Sequence, residues 1–301
     1  MKSFVYRLLI SGMLLAATAS CTPAPQAAVE PANTPISSGS GSAPESATAT
    51  PTLPPTVMEA ATTVPTPTPV PINGQPIQFG GVSFILPTEL GTGIMGEIVP
   101  ASESNDPNNV PYWDLYPDYT DITLVEYPVA GSDHFPQIIV YPADKYAAIN
   151  PSAGQTITDL KALLADPAAD PENMPFLPTW NAAQVFHAQT QRISFTGGKG
   201  VRYITMYSQA VMPINNAALF YTFQGLTDDR KYYVAAIFPI STDSLPATAQ
   251  MDQQEFEALA DHYEAYLFQT VDLLKNQTPD QFTPDLTQLD QLIGSIQITM
   301  P

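Results

Sequence analysis

AQTQRISF at 188–195, GVRYITMYS at 200–208, ALFYTFQ at 218–224 and KYYVAAIF at 231–238 form the most regular stretch of this sequence. Each segment is rich in β-branched and aromatic residues and is bounded by turn-forming ones, which is the pattern of a strand. The Gly197-Gly198 pair within Ser194–Lys199 supplies one turn, and the segment Gly225–Arg230 supplies another. Met212–Asn216 makes the return at the opposite end. Strands joined this closely are antiparallel neighbours, because a parallel pair needs a crossover of a dozen or more residues. The stretch therefore predicts a four-strand meander.

Reading toward the N-terminus, QFGGVSFIL at 78–86 predicts two short strands about Gly80-Gly81, a dipeptide that accepts positive φ. Further strands are expected near 93–99, 121–127 and 136–141. The segment 156–165 places Ile157, Leu160 and Leu164 on one helical face, and Pro167 ends it. Toward the C-terminus, residues 252–275 carry Phe256, Leu259, Tyr263, Tyr266, Leu267, Val271 and Leu274 at three- and four-residue steps. That spacing predicts one amphipathic helix lying across the sheet. A short helix near 285–292 and a strand at 295–299 complete an α+β fold with a mainly antiparallel sheet.

This unit occupies 74–301 as a single globular domain. Before it, residues 22–73 are Pro, Thr, Ser and Ala in bulk, and no aromatic residue occurs between Tyr6 and Phe79. Such a segment cannot bury enough apolar surface to offset its ordering entropy, so it reads as a disordered linker. Residues 1–21 place Lys2 and Arg7 before an apolar run from Leu8 to Leu15 and then turn to small residues, the layout of a secretory signal. The run is shorter than the roughly 20 residues that span a bilayer. Its last residues, Thr18-Ala19-Ser20-Cys21, resemble the lipobox of bacterial lipoproteins, with the sole cysteine of 301 residues at the lipidation position. The resemblance implies a chain held to a membrane through lipid on Cys21, facing the extracytoplasmic side of the cell envelope.

Charge narrows the partners. With 29 acidic and 10 basic residues the net charge is −19, a poor match for the phosphates of nucleic acid. One cysteine excludes an internal disulfide framework and a multi-cysteine zinc site. His134, His187 and His262 are scattered without metal-ligand spacing, and no nucleophile elbow is present. Asp166 with Asp170, and the run 103–109, offer oxygens of the kind calcium takes, although Asp and Asn are also ordinary turn formers. No catalytic residue, cofactor or metal is assigned on this basis. Two surfaces are candidates for binding. The first is Tyr112, Trp113, Tyr116 and Tyr119, four rings within eight residues that also bring Asp114 and Asp118. The second is a basic corner of Lys199, Arg230 and Lys231, because the first and third meander turns share one end of the sheet. The expected role is a non-catalytic binding or structural module at the envelope. A carboxylate-dependent glycoside hydrolase or another envelope hydrolase is the alternative.

Overall fold

The computed structural model describes residues 72–102 and 110–300. Cys21, the signal-like segment, the linker up to residue 71 and the run 103–109 lie outside the described residues.

The chain opens with a hairpin of β1 (Gly74–Phe79) and β2 (Val82–Pro87). Its turn residues Gly80 and Gly81 have φ of 56° and 81°, the left-handed region that a two-residue turn demands. Then come β3 (Gly93–Val99), β4 (Tyr119–Val125) and β5 (Gln137–Pro142), followed by helices α1 (Ala143–Ile149) and α2 (Pro151–Ala165). The meander is β6 (Ala183–Phe195), β7 (Gly198–Ser208), β8 (Phe220–Thr227) and β9 (Tyr232–Pro239). Helices α3 (Gln253–Asp261), α4 (Tyr263–Asn276) and α5 (Leu286–Gly294) lead to a terminal strand, β10 (Gln297–Ile298).

All pairing between these strands is antiparallel, in a seven-stranded sheet of order β3-β4-β5-β9-β8-β7-β6 and a small sheet of order β1-β2-β10. The fold is thus α+β, and the expected meander forms one side of the large sheet, with β6 at its edge. Period-two alternation sorts the sheet's side chains between two cores. On β9, Val234, Ala236 and Phe238 face a layer built from β2, α4 and α5. Tyr233 and Ala235 face the other way, into a layer with Ile157, Leu160 and Leu163 of α2. Three layers with a sheet buried on both sides result, which explains why β8 contains no exposed residue.

Two expectations need correction. The helix expected over 252–275 is divided at His262, whose φ of −129° and ψ of 22° end α3 and start α4. Helix α3 buries no residue, and Phe256 is 40% exposed. Periodicity marks an apolar face but says nothing of what lies opposite it; of the two halves α4 packs on the sheet, at β6, and α5 packs beside it on β6 and β2, burying Leu286, Leu289, Leu292 and Ile293. Strand β6 also begins at Ala183, five residues ahead of its expected start. Irregularities between Gln184 and Phe186 and between Ala188 and Gln191 break its alternation and hide its first half in the sequence.

The second of these irregularities ties the layers together. Gln189 has a φ of 56° and donates from Nε2 to the carbonyls of Leu274 and Gln277 at 2.9 and 2.8 Å, satisfying the end of α4. Its own carbonyl accepts from Arg202, a residue only 3% exposed that also pairs with Asp290 of α5 at 3.1 Å. Tyr221 donates to the same carboxylate at 3.0 Å. Burial lifts the Asp290 carboxyl above its ordinary value despite the attraction of Arg202.

Candidate functional site

Helix α2 starts with proline at its first position, where a missing N–H costs nothing, and with Asn150 as its cap. The Asn150 Oδ1 accepts from Ala153 N at 3.1 Å. Its Nδ2 donates to the carbonyls of Tyr112 and Leu115, at 2.6 and 3.0 Å. One fully buried amide thus caps a helix and fixes the short 3₁₀ turn Tyr112–Asp114 beside it.

A second loop is pinned to the same face of the sheet. Gln224 of β8, completely buried, accepts from Leu177 N at 2.9 Å and donates to Leu177 O at 3.2 Å, while Tyr203 Oη donates to Pro175 O at 2.9 Å. Met174 N donates to Gln184 Oε1 at 2.8 Å. These bonds present Trp180, which rests on Phe176, Tyr207 and Phe220 with ring centroids 4.8, 5.4 and 5.6 Å away. His134 stacks on the indole at 5.3 Å and an interplanar angle of 5°. Burial lowers the imidazole's affinity for a proton, so the ring stacks in its neutral form at neutral pH.

The two loops meet through Tyr112, whose hydroxyl donates to Trp180 O at 2.9 Å. Both tryptophans of the chain then border one open cavity of about 500 Å³, with Asp114, His134, Tyr207 and Gln209. An adjoining cavity of about 370 Å³ runs past Tyr112, Thr179 and Asp159. A third, of about 540 Å³, shares Asn181 and Gln209 with the first and adds Ser208. Through shared lining residues they form one groove of flat rings, amides and hydroxyls, with the carboxylates Asp114 and Asp159 along it.

The aromatic cluster read from the sequence therefore separates. Tyr112 and Trp113, 41% and 36% exposed, enter the groove and meet edge to face at 4.9 Å. Tyr116 and Tyr119 pack against the α2-side core instead, with Tyr119 4.9 Å from Tyr141. Burial raises the Tyr119 phenol well above its ordinary value. Trp180, Asn150 and Gln224 were not identified from sequence. That the chain has only two tryptophans was the single available signal, since nothing local joins positions 67 residues apart.

The basic corner assembles in part. The turns at Gly197 and Asp228 lie side by side, with Asp228 N donating to Gly197 O at 2.8 Å. Lys199 and Arg230 border a cavity of about 200 Å³. Lys231 is not among its lining residues and lies 3.9 Å from Asp229. Lys161, which no local pattern marks, reaches the same cavity from α2.

Among acids, Asp121 stands out. It sits opposite Glu97 in the β3–β4 ladder, its Oδ1 is buried without a hydrogen-bond partner among the described residues, and burial followed by the Glu97 charge pushes its carboxyl up to about 6. Neither Asp121 nor Glu97 lines the cavities just described. Asp166 accepts from Ala168 N at 2.9 Å as a turn former, and Asp170 lies 3.3 Å from His187. Among the described residues, no group of three or more His, Cys, Asp or Glu could hold a metal ion. Comparison with protein-family models and with curated proteins finds no match to the chain.

Proposed function

We propose that this protein is a lipid-anchored extracytoplasmic module that binds saccharide in the groove between Trp113 and Trp180, without catalysis. The observation that carries the reading is the meeting of both tryptophans on one open groove. Flat aromatic faces take the apolar face of a sugar ring, and the amides of Asn181 and Gln209 suit its hydroxyls. A loop fixed by buried hydrogen bonds also presents the ring without an ordering cost on binding. Cys21, in its lipobox-like setting, would hold the module at the membrane.

Tryptophan fluorescence titrated with soluble oligosaccharides of envelope glycans tests the binding. A saturable change that is lost in Trp180→Ala supports it, whereas no change with any saccharide, or the same change in the variant, refutes it. Mass analysis of the N-terminal peptide from membrane fractions tests the anchor; an unmodified Cys21 refutes it. A hydrolytic reading has one observation in its favour, the raised carboxyl of Asp121 beside Glu97, an acid and base pair in kind. Release of reducing ends from the same oligosaccharides, abolished by Asp121→Asn, would move the function to that site.

A further inference from the structure

The eight basic residues among those described are unevenly employed. Lys145 pairs with Asp118, Arg202 with Asp290 and Lys231 with Asp229. Arg192 donates to the carbonyls of Leu163 and Asp166, at 2.7 and 2.6 Å, closing the end of α2. Lys161, Lys199, Arg230 and Lys275 have no ion pair or side-chain hydrogen bond among the described residues, in a chain whose acids outnumber its bases almost threefold; Lys275 stands apart at the end of α4, and the other three gather. They come from three separate elements: the third turn of α2, the start of β7 and the β8–β9 turn. All three border the same cavity of about 200 Å³.

The backbone that brings them together is firmly held. Lys199 is in register with Leu226, the two turns are bonded through Asp228 N and Gly197 O, and Arg192 fixes the end of α2 beside them. Arg230 has a φ of 61° and its N–H donates to Thr227 O at 2.8 Å, so the turn that carries it is closed. Asp228 is the one carboxylate among the described lining residues, and the neighbouring Asp229 is engaged by Thr227 Oγ1 and Lys231 N at 2.6 and 3.1 Å. Three cations against one carboxylate leave two net positive charges at the cavity. Like charges gathered without counter-charge repel, and a dianion relieves that repulsion. The guanidinium adds a fork that matches phosphate oxygens, while Leu164 and Leu226 give the cavity an apolar side for a small organic substituent.

We propose that Lys161, Lys199 and Arg230 form a second binding site, independent of the aromatic groove, for a phosphate monoester dianion. The recess is small and concave and the surrounding protein is strongly acidic, so a small soluble phosphate is favoured over the flat face of an anionic membrane.

Backbone amide shifts of the protein at pH 7.5 and low salt, titrated with inorganic phosphate and with glycerol phosphate, test this. Saturable shifts at Lys199, Arg230 and the C-terminal turn of α2, weakened at least tenfold in the Lys199→Gln/Arg230→Gln variant and by added salt, support the site. Lys161→Gln, a change on a helix surface, provides a second variant should the double one be poorly folded. Absence of shifts at these residues, or equal shifts in the variants, overturns it. Cosedimentation with phosphatidylcholine vesicles, with and without phosphatidylglycerol, distinguishes the source. Binding that needs both the anionic lipid and the same three cations, without response to soluble phosphate, overturns the assignment to a soluble ligand. Saccharide titrations of the same variants should be unchanged, which separates this site from the groove.

Discussion

Asp121→Asn should stabilise the protein near neutral pH and have no effect at low pH. In the folded state the carboxyl titrates at about 6, against 3.8 for the ordinary group. The folded state therefore binds the proton more tightly than the unfolded state. Between pH 3.8 and 6 it holds more protons, so this group's contribution to stability falls as pH rises through that window. Above the window the ionised carboxylate is a net destabilising element. A shift of about two units at 1.36 kcal/mol each corresponds to about 3 kcal/mol, and partial exposure together with residual structure in the unfolded chain reduces this to about 2 kcal/mol. The amide removes the charge without changing the shape, and it faces the same neighbours, Glu97 on one side and Ile139 on the other. Urea unfolding of the wild type and of Asp121→Asn at pH 3.5 and 7.5 measures the effect. Taking the difference between the two proteins cancels the contribution of Asp290, whose carboxyl is also raised. Glu97→Gln should recover a smaller part, about 0.5 kcal/mol, because burial is the larger cause and the opposed charge the lesser. A stability difference between wild type and Asp121→Asn that is the same at both pH values would refute the reasoning.

Other substitutions probe the site and its support. Asn150→Ala removes a helix cap and the bonds to Tyr112 and Leu115 at once, so it should cost about 2 kcal/mol in denaturant unfolding and also weaken saccharide binding. Trp113→Ala, at a half-exposed ring, should cost about 1 kcal/mol. Trp180→Ala, which empties the nest of Phe176, Tyr207 and Phe220, should cost about 3 kcal/mol, and equal losses would contradict the placement of the two rings. Asp290→Ala leaves Arg202 buried without its carboxylate and should lower stability by about 3 kcal/mol, with thermal unfolding as the measurement. Gly200→Ala should destabilise as well, since a Cβ there would lie 2.4 Å from both Gln224 O and the Phe223 ring.

Features that rest on short-range pattern are legible in the amino-acid order. Period-two alternation and turn chemistry mark β7, β8 and β9 to within a few residues, and Gly80-Gly81 marks the first hairpin, because side-chain direction and positive φ are properties of neighbouring residues. The corner turns could be placed at one end of the sheet for the same reason, since a meander of known order has only two ends. Whatever depends on the layer across a gap emerges only when the chain is folded. The same helical spacing that suggested one long helix left α3 without a buried residue and gave the packing role to α4 and α5, because a face is buried only where another layer meets it. Trp113 and Trp180 border one groove because Asn150 and Gln224 fix two distant loops, and Lys161 joins Lys199 and Arg230 because α2 lies over β7 and β8. Such pairings arise from long-range closure of the chain, whose free energy is settled by packing and by hydrogen bonds that no local window contains.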